Sequence, residues 1–284
     1  MNVSRYGVVL AALATGSMAV SGCSANSSIV DKAKNDKKLV IGVSYDQPGL
    51  GEKTASGAQG FDVDVAKYIA KKLGVTDEKN IELKQARPAN RETFLQNGTV
   101  DLVVATYSIT AARKPKVTFG GPYIVTHQDI MTRADDTSIK TVTDLKKRKK
   151  RLCQVAGSNS WKNVTEGSNQ LNIKVPARLI PAAGYQDCVT KLKGNSVDAI
   201  STDATILAGF SAREPGVFKI DNAPLTDERY GVGLKKGDLK GCEAVNKAIA
   251  AMYSDGTTKQ LWNKWFGTTG LTFDATPPAP EGCS

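Results

Sequence analysis

From Lys38 onward the chain alternates short apolar runs with longer stretches of helical spacing. Lys38–Ser44 predicts a strand built on Leu39, Val40, Ile41 and Val43, ended by turn chemistry at Asp46-Gln47-Pro48-Gly49-Leu50-Gly51. Phe61, Val65, Tyr68, Ile69 and Leu73 fall at helical spacing and stop at Gly74. Ile81–Leu83 predicts a second strand, Glu92–Asn97 a helix, and Leu102–Ala105 a buried strand. Further on the pattern predicts an extended run over Ile124–Thr132, a helix beginning at Thr143, and strands at Arg151–Val155 and near Val175–Ile180. A helix over Tyr185–Leu192 and two last helices, about Cys242–Tyr253 and Thr257–Phe266, complete the pattern. Such alternation predicts an open α/β sheet with ligands beyond the carboxyl ends of its strands. Residues 98–106 and 194–202 repeat one arrangement: a turn, Val-Asp, an apolar run, then hydroxyls. The echo predicts two lobes of similar build.

The N-terminal residues 1–22 have Arg5, an apolar stretch from Tyr6 to Val20, and then small residues, which predicts an export signal. That stretch is too short to be a permanent span. Val20-Ser21-Gly22-Cys23 resembles a lipobox, which implies a diacylglyceryl group on Cys23. Residues 23–37 are rich in Ser, Asn, Lys and Asp and read as a flexible tether. Cys153, Cys188, Cys242 and Cys283 remain, and in an exported protein they suggest two disulfides, with three connectivities open. Pairing by region gives 153–188 and 242–283. A single histidine, His127, and no CxxC, CxxH or HExxH spacing argue against a zinc site. The chain has 284 residues, 40% of them hydrophobic, enough for two packed lobes, and a net charge of +10. Lys146–Arg151 concentrates six basic residues without interleaved aromatics, so base stacking and nucleic-acid binding are not expected.

The run Asp101–Lys114 carries the chemistry. A buried strand empties into Thr106-Tyr107-Ser108, and Arg113 follows seven residues after Thr106. Backbone N–H groups, a hydroxyl and a guanidinium fork can close on one carboxylate. Ala156-Gly157-Ser158-Asn159-Ser160-Trp161 is a small-residue turn before a helix, a second cradle for a charged group. With Gly60-Phe61-Asp62-Val63-Asp64 upstream, this loop resembles the amino-acid-binding branch of the extracytoplasmic solute-binding proteins of ABC importers. The spelling ATYSIT before Arg113-Lys114 is similar to actinobacterial glutamate-binding lipoproteins.

The resemblance spans about Lys38 to Gly267. It implies a two-lobed α/β fold of the type II periplasmic-binding-protein kind, with the ligand in the cleft. Residues 38–126 and 228–284 would form lobe 1 and residues 127–227 lobe 2. Arg113, Thr106, Ser108 and the backbone of Ser158 or Asn159 would receive an α-carboxylate. Asp203, with Thr202 beside it, would accept the ammonium. Family topology places the loop Ala86–Arg91 over the side-chain end, where Arg91 would pair a γ-carboxylate and Arg87 support it from the rim. Trp161 is a candidate for covering the ligand, because the loop Asp46–Leu50 lacks an aromatic.

The resemblance implies a monomeric lipoprotein on the outer face of the cell membrane. It would capture glutamate by hinge closure and pass it to a membrane permease without cofactor, metal or covalent chemistry. Glutamine, aspartate or asparagine as ligand, and an extracytoplasmic sensor as role, share the same site residues. An enzyme on this fold would need an activated nucleophile or a paired acid and base, and no Ser/His/Asp constellation is present. If the lipobox reading is right, Cys23→Ala will release the protein into the medium with ligand affinity intact, because a diacylglyceryl group is the only membrane hold it invokes. Fractionation of cells into membrane and medium measures it; retention of the variant in the membrane would contradict the reading.

Overall fold

The computed structural model describes residues 28–146, 150–168 and 170–283, with Met1. The predicted signal segment, apart from Met1, and the lipidation position Cys23 lie outside the described residues, as do residues 147–149 of the basic run. The first lobe begins with α1 (Ile29–Asp36), β1 (Leu39–Val43), β2 (Asp46–Gln47), β3 (Gly51–Thr54) and β4 (Gly57–Gln59). It continues through α2 (Phe61–Lys72), β5 (Ile81–Gln85), α3 (Arg91–Gln96) and β6 (Leu102–Val103) to the long strand β7 (Val117–Arg133). The second lobe follows with β8 (Arg151–Val155), α4 (Ser160–Glu166), β9 (Arg178–Ala182), α5 (Tyr185–Lys193), β10 (Ile200–Asp203), α6 (Ala204–Arg213) and β11 (Phe218–Ile220). Strand β12 (Asp227–Lys235) returns, and α7 (Leu239–Ser254) and α8 (Thr257–Phe266) pack back on the first lobe.

Topology explains where a site can form. Strand β1 lies between β5 and β6, parallel to both, with Ile41 opposite Leu83 and Leu102. In the second lobe β8 is parallel to β9, and Leu152 bridges to Ala199 just before β10. The repeated sequence arrangement thus occupies the same place beside the first strand of each lobe. Strands β7 and β12 run antiparallel, Asp227 opposite His127 through Lys235 opposite Val117, and join the lobes. Beyond them β7 pairs with β10 and β11. The fold is therefore the expected α/β architecture with two crossing segments. No helix among the described residues is long and apolar enough to cross a membrane.

Two local expectations need correction, and one helix, α6, has no predicting pattern. The stretch read as tether is helical from Ile29: Ser28 Oγ accepts from Val30 N–H at 3.2 Å, Ile29 and Ala33 are buried, and Ile29 N–H donates to Asp238 at 2.9 Å. Two buried positions one turn apart are enough to dock a short polar helix, and too few to produce a visible period. The turn after β1 becomes the small antiparallel sheet β2–β3–β4, whose strands of two to four residues are too short to show alternation. Helix α6, with Ala204 to Phe210 wholly buried, has no polar face for a periodicity to show. Of the basic run, Lys150 sits 2.7 Å from Ser138 Oγ and Arg151 makes a two-pronged contact with Asp198, 3.0 and 2.8 Å. Arg151 therefore serves the start of β8.

Both regional cysteine pairs are bonded. Cys153 of β8 joins Cys188 of α5, and Cys242 of α7 joins Cys283 in the C-terminal segment. The first ties a strand to the helix packed on it; the second holds the tail against α7. Removing either bridge by paired Cys→Ala substitution should cost about 2–5 kcal/mol of unfolding free energy. Denaturant titration measures the loss, and labelling of the unfolded, unreduced protein should find none of these four thiols free.

Candidate functional site

The loop after β6 turns sharply because Thr106 adopts a left-handed backbone (φ 44°). For a β-branched residue that conformation is strained and needs outside support. Asp62, near the start of α2, supplies it: one carboxylate oxygen accepts Thr106 N–H at 2.7 Å and the other accepts the Tyr123 hydroxyl at 2.8 Å. Burial pushes Asp62 up to about 7, against the pull of both hydrogen bonds and of Arg91. Thr106 Oγ1 donates to Gln47 at 3.2 Å, which engages the first loop as well. The Gly60–Asp64 motif is thus a prop for the loop.

This loop presents two buried guanidinium groups on one ring. Arg91 Cζ lies 4.4 Å and Arg113 Cζ 4.9 Å from the centre of Tyr107. Arg91, the first residue of α3, donates to the carbonyls of Ala105 (2.8 Å) and Thr106 (3.2 Å), while its buried Nε has no hydrogen-bond partner. Burial, then Arg113, lowers its pKa to about 10, so it stays charged at neutral pH. Arg113 donates to Ser108 O in its own lobe (2.8 Å) and to Gly157 O across the cleft (3.0 Å).

The second lobe and the returning strand β12 contribute acid and hydroxyl groups. Asp203 ends β10 and occupies the N-cap position of α6 without making a capping hydrogen bond. It accepts the Tyr230 hydroxyl at 2.6 Å instead. Burial, then the charge of Glu228, holds it well above the usual carboxylate range. Glu228 of β12 accepts Ser108 Oγ at 2.5 Å and Thr226 Oγ1 at 2.8 Å. Ser158 Oγ is 2.8 Å from the buried Tyr185 hydroxyl.

These groups surround one nearly filled cavity with about 20 Å³ of free space, lined by Arg91, Thr106, Ser108, Arg113, Ser158, Asn159, Asp203 and Glu228 among others. That is room for about one water molecule, and groups of both charge signs face it. Seven of the nine expected ligand-binding residues line it. Thr202 is fully buried, with Ser160 Oγ 3.5 Å from its hydroxyl, and does not line the cavity. Arg87 is exposed and also lies outside the lining, because Pro88 directs the chain inward only after it. Trp161 packs partly on the core of the second lobe and lines an adjoining interlobe groove with Arg113 and Glu92, outside the lining of this cavity. Glu228 and Tyr185 were not expected as site residues. An acid two residues before Tyr230 on one strand is the signal that could have found Glu228, since both then face the same way.

The lobes are closed on each other. A Cβ at Gly157 would lie 2.5 Å from the backbone of Pro88 and Ala89, and one at Gly209 would lie 2.0 Å from Pro48 O. Two α/β lobes, crossing strands and a polar interlobe cleft define a type II solute-binding architecture. The chain belongs to the bacterial extracellular solute-binding proteins, family 3, whose model matches residues 39–268. It is 38% identical to the glutamate-binding protein GluB of Corynebacterium glutamicum, covering 97% of this chain and 95% of that one. It is 34% identical to the ABC transporter glutamine-binding protein GlnH of Bacillus subtilis, over 93% of this chain and 94% of the relative. Among solved structures, an ancestral arginine-binding protein bound to glutamine aligns with a TM-score of 0.73 at 32% identity, covering 81% of this chain and 98% of its own. An ancestral amino-acid-binding protein described as a precursor of cyclohexadienyl dehydratase aligns at 0.74 with 28% identity, covering 84% and 100%.

The contact at Gly209 yields a direct test. Gly209→Ala must push Pro48 away, so small-angle scattering should show a less compact particle than the wild type. Equal compaction would mean that closure does not depend on this approach.

Proposed function

We propose that the protein captures an acidic amino acid, L-glutamate, between its lobes and delivers it to the membrane permease of an ABC importer. The single observation that carries this reading is the placing of two buried guanidinium groups, Arg91 and Arg113, and two buried acid groups, Asp203 and Glu228, around one small cavity. Glutamate presents two carboxylates and one ammonium, and each needs a partner once water is excluded. Arg113 with Ser108, and the Ser158–Asn159 turn from the other lobe, would receive the α-carboxylate. Asp203 and Glu228 would receive the ammonium. Arg91, with its unpartnered Nε, would receive the γ-carboxylate, since an unpaired charge in a closed cleft is costly. Capture of this kind needs binding and hinge closure only, so the protein acts as a carrier subunit and not as an enzyme. A lipid on Cys23 would keep it beside the permease.

Glutamine is the competing ligand, and the GlnH relative and the glutamine-bound ancestral structure give it weight. Calorimetry of protein stripped of ligand by unfolding and refolding, against glutamate, glutamine, aspartate and asparagine, separates them. Arg113→Ala and Asp203→Asn should weaken all ligands alike by on the order of 2–5 kcal/mol, which is about thirtyfold to several-thousandfold. Arg91→Met should weaken glutamate far more than glutamine. Equal losses for both would remove Arg91 from the side-chain end and leave glutamate without its cation.

A further inference from the structure

Asp203 and Glu228 line the same closed cavity, yet their hydrogen bonding differs. Glu228 accepts on both oxygens: Ser108 donates to one at 2.5 Å and Thr226 to the other at 2.8 Å, with Asn163 Nδ2 at 3.5 Å. Asp203 receives one hydrogen bond, from Tyr230 at 2.6 Å. Tyr230 and Glu228 are two residues apart on β12 and share a face, so this strand brings the second acid towards the first. Two carboxylates held in one water-poor site cannot both ionise without a large penalty.

The nearby cations do not remove that penalty by contact. Arg113 is committed to Ser108 O and Gly157 O, and Arg91 to Ala105 O and Thr106 O; neither donates to Asp203. The titratable and charged groups that face Asp203 are Glu228 and Tyr230 from β12, Arg113 from the loop after β6, Arg91 from α3 and Tyr185 from α5; Asp62 acts on Tyr230 from α2.

We infer that Asp203 carries a proton in the ligand-free cleft, kept there by the neighbouring Glu228 carboxylate, and that a ligand's ammonium group displaces it. Glu228 is then the residue that couples amino-acid capture to proton release. The inference rests on the amino-acid reading of the cleft. The exchange balances simply: the Asp203 O–H bond breaks, its proton leaves to solvent, and the ammonium keeps its three protons and pairs with the ionised carboxylate. The raised position of Asp203, from burial first and Glu228 second, agrees with this. The bound state holds fewer protons than the free state, so affinity rises with pH until the free cleft is itself deprotonated.

The test is calorimetry of the full mature protein with L-glutamate and with L-glutamine, in phosphate and in Tris at the same pH, between about pH 6 and 8. The two buffers absorb a proton with different heats, so the difference counts protons. The expected result is net proton release on binding at the acid end of that range, and affinity that tightens with pH by up to about tenfold per pH unit. Glu228→Gln should lower the count and flatten the pH dependence. Identical heats in both buffers would overturn the inference and leave the amino-acid reading standing. An unchanged count in Glu228→Gln would assign the proton to another group, Asp62 foremost, and would also overturn it. Should that variant fail to fold, the wild-type count alone decides. Absence of any binding heat, with either ligand, would refute the amino-acid reading and the inference together.

Discussion

One guanidinium holds the closed cleft together. Arg113 donates to Ser108 O in one lobe and to Gly157 O in the other, so its charge sits where the lobes meet. A buried cation without a compensating anion is costly. The acids Asp203 and Glu228 sit around the same cavity and offset that charge. Closure, ligand charge and the protonation of the acids are therefore one electrostatic problem. A change at any of these residues acts on the other two terms.

Rigidity for the clamp comes from a layer beneath it. Thr106 holds an unfavourable backbone conformation because Asp62 takes its N–H, and Asp62 is in turn placed by the Tyr123 hydroxyl. Tyr123 lies on β7 and Tyr230, which holds Asp203, on β12. Both crossing strands thus reach the site through a tyrosine, Tyr123 by way of Asp62 and Tyr230 by way of Asp203, with ring centroids 6.0 Å apart. Hinge and site share parts, which is a direct route from domain movement to the geometry of the acid pair.

The two disulfides stabilise different things. Cys153–Cys188 staples β8 to α5, and α5 begins with Tyr185, whose hydroxyl meets Ser158 beside the cleft. Cys242–Cys283 holds the tail, and Glu281 in that tail reaches Arg229 at 2.6 Å and Lys114 at 2.9 Å. Lys114 follows Arg113 and Arg229 follows Glu228 in sequence. The tail is thereby tied to the two segments that carry the clamp.

Much of the fold and of the site was legible in the sequence. Arg151–Val155 and Thr257–Phe266 are found where their apolar runs and spacing put them, and Thr106, Ser108, Arg113 and Asp203 line the cavity as their motifs implied. Local chemistry decides such features: an apolar run must be buried, and a charged group at a strand exit must find a partner. Where the periodic signal was weak it failed, as at α1 with two buried positions and at α6, buried from Ala204 to Phe210. The roles that depend on distant partners came only from the folded chain. Glu228 enters the cleft because β12 returns beside β7, and Asp203 leaves its helix cap because Tyr230 is within reach. Thr202 and Arg87 drop out of the lining because one is packed inside the lobe and the other is left outside it. Sequence spacing sets which side chains leave a given strand end. Which charges then share one water-poor cavity is decided by the closing of two lobes, and no local pattern encodes that distance.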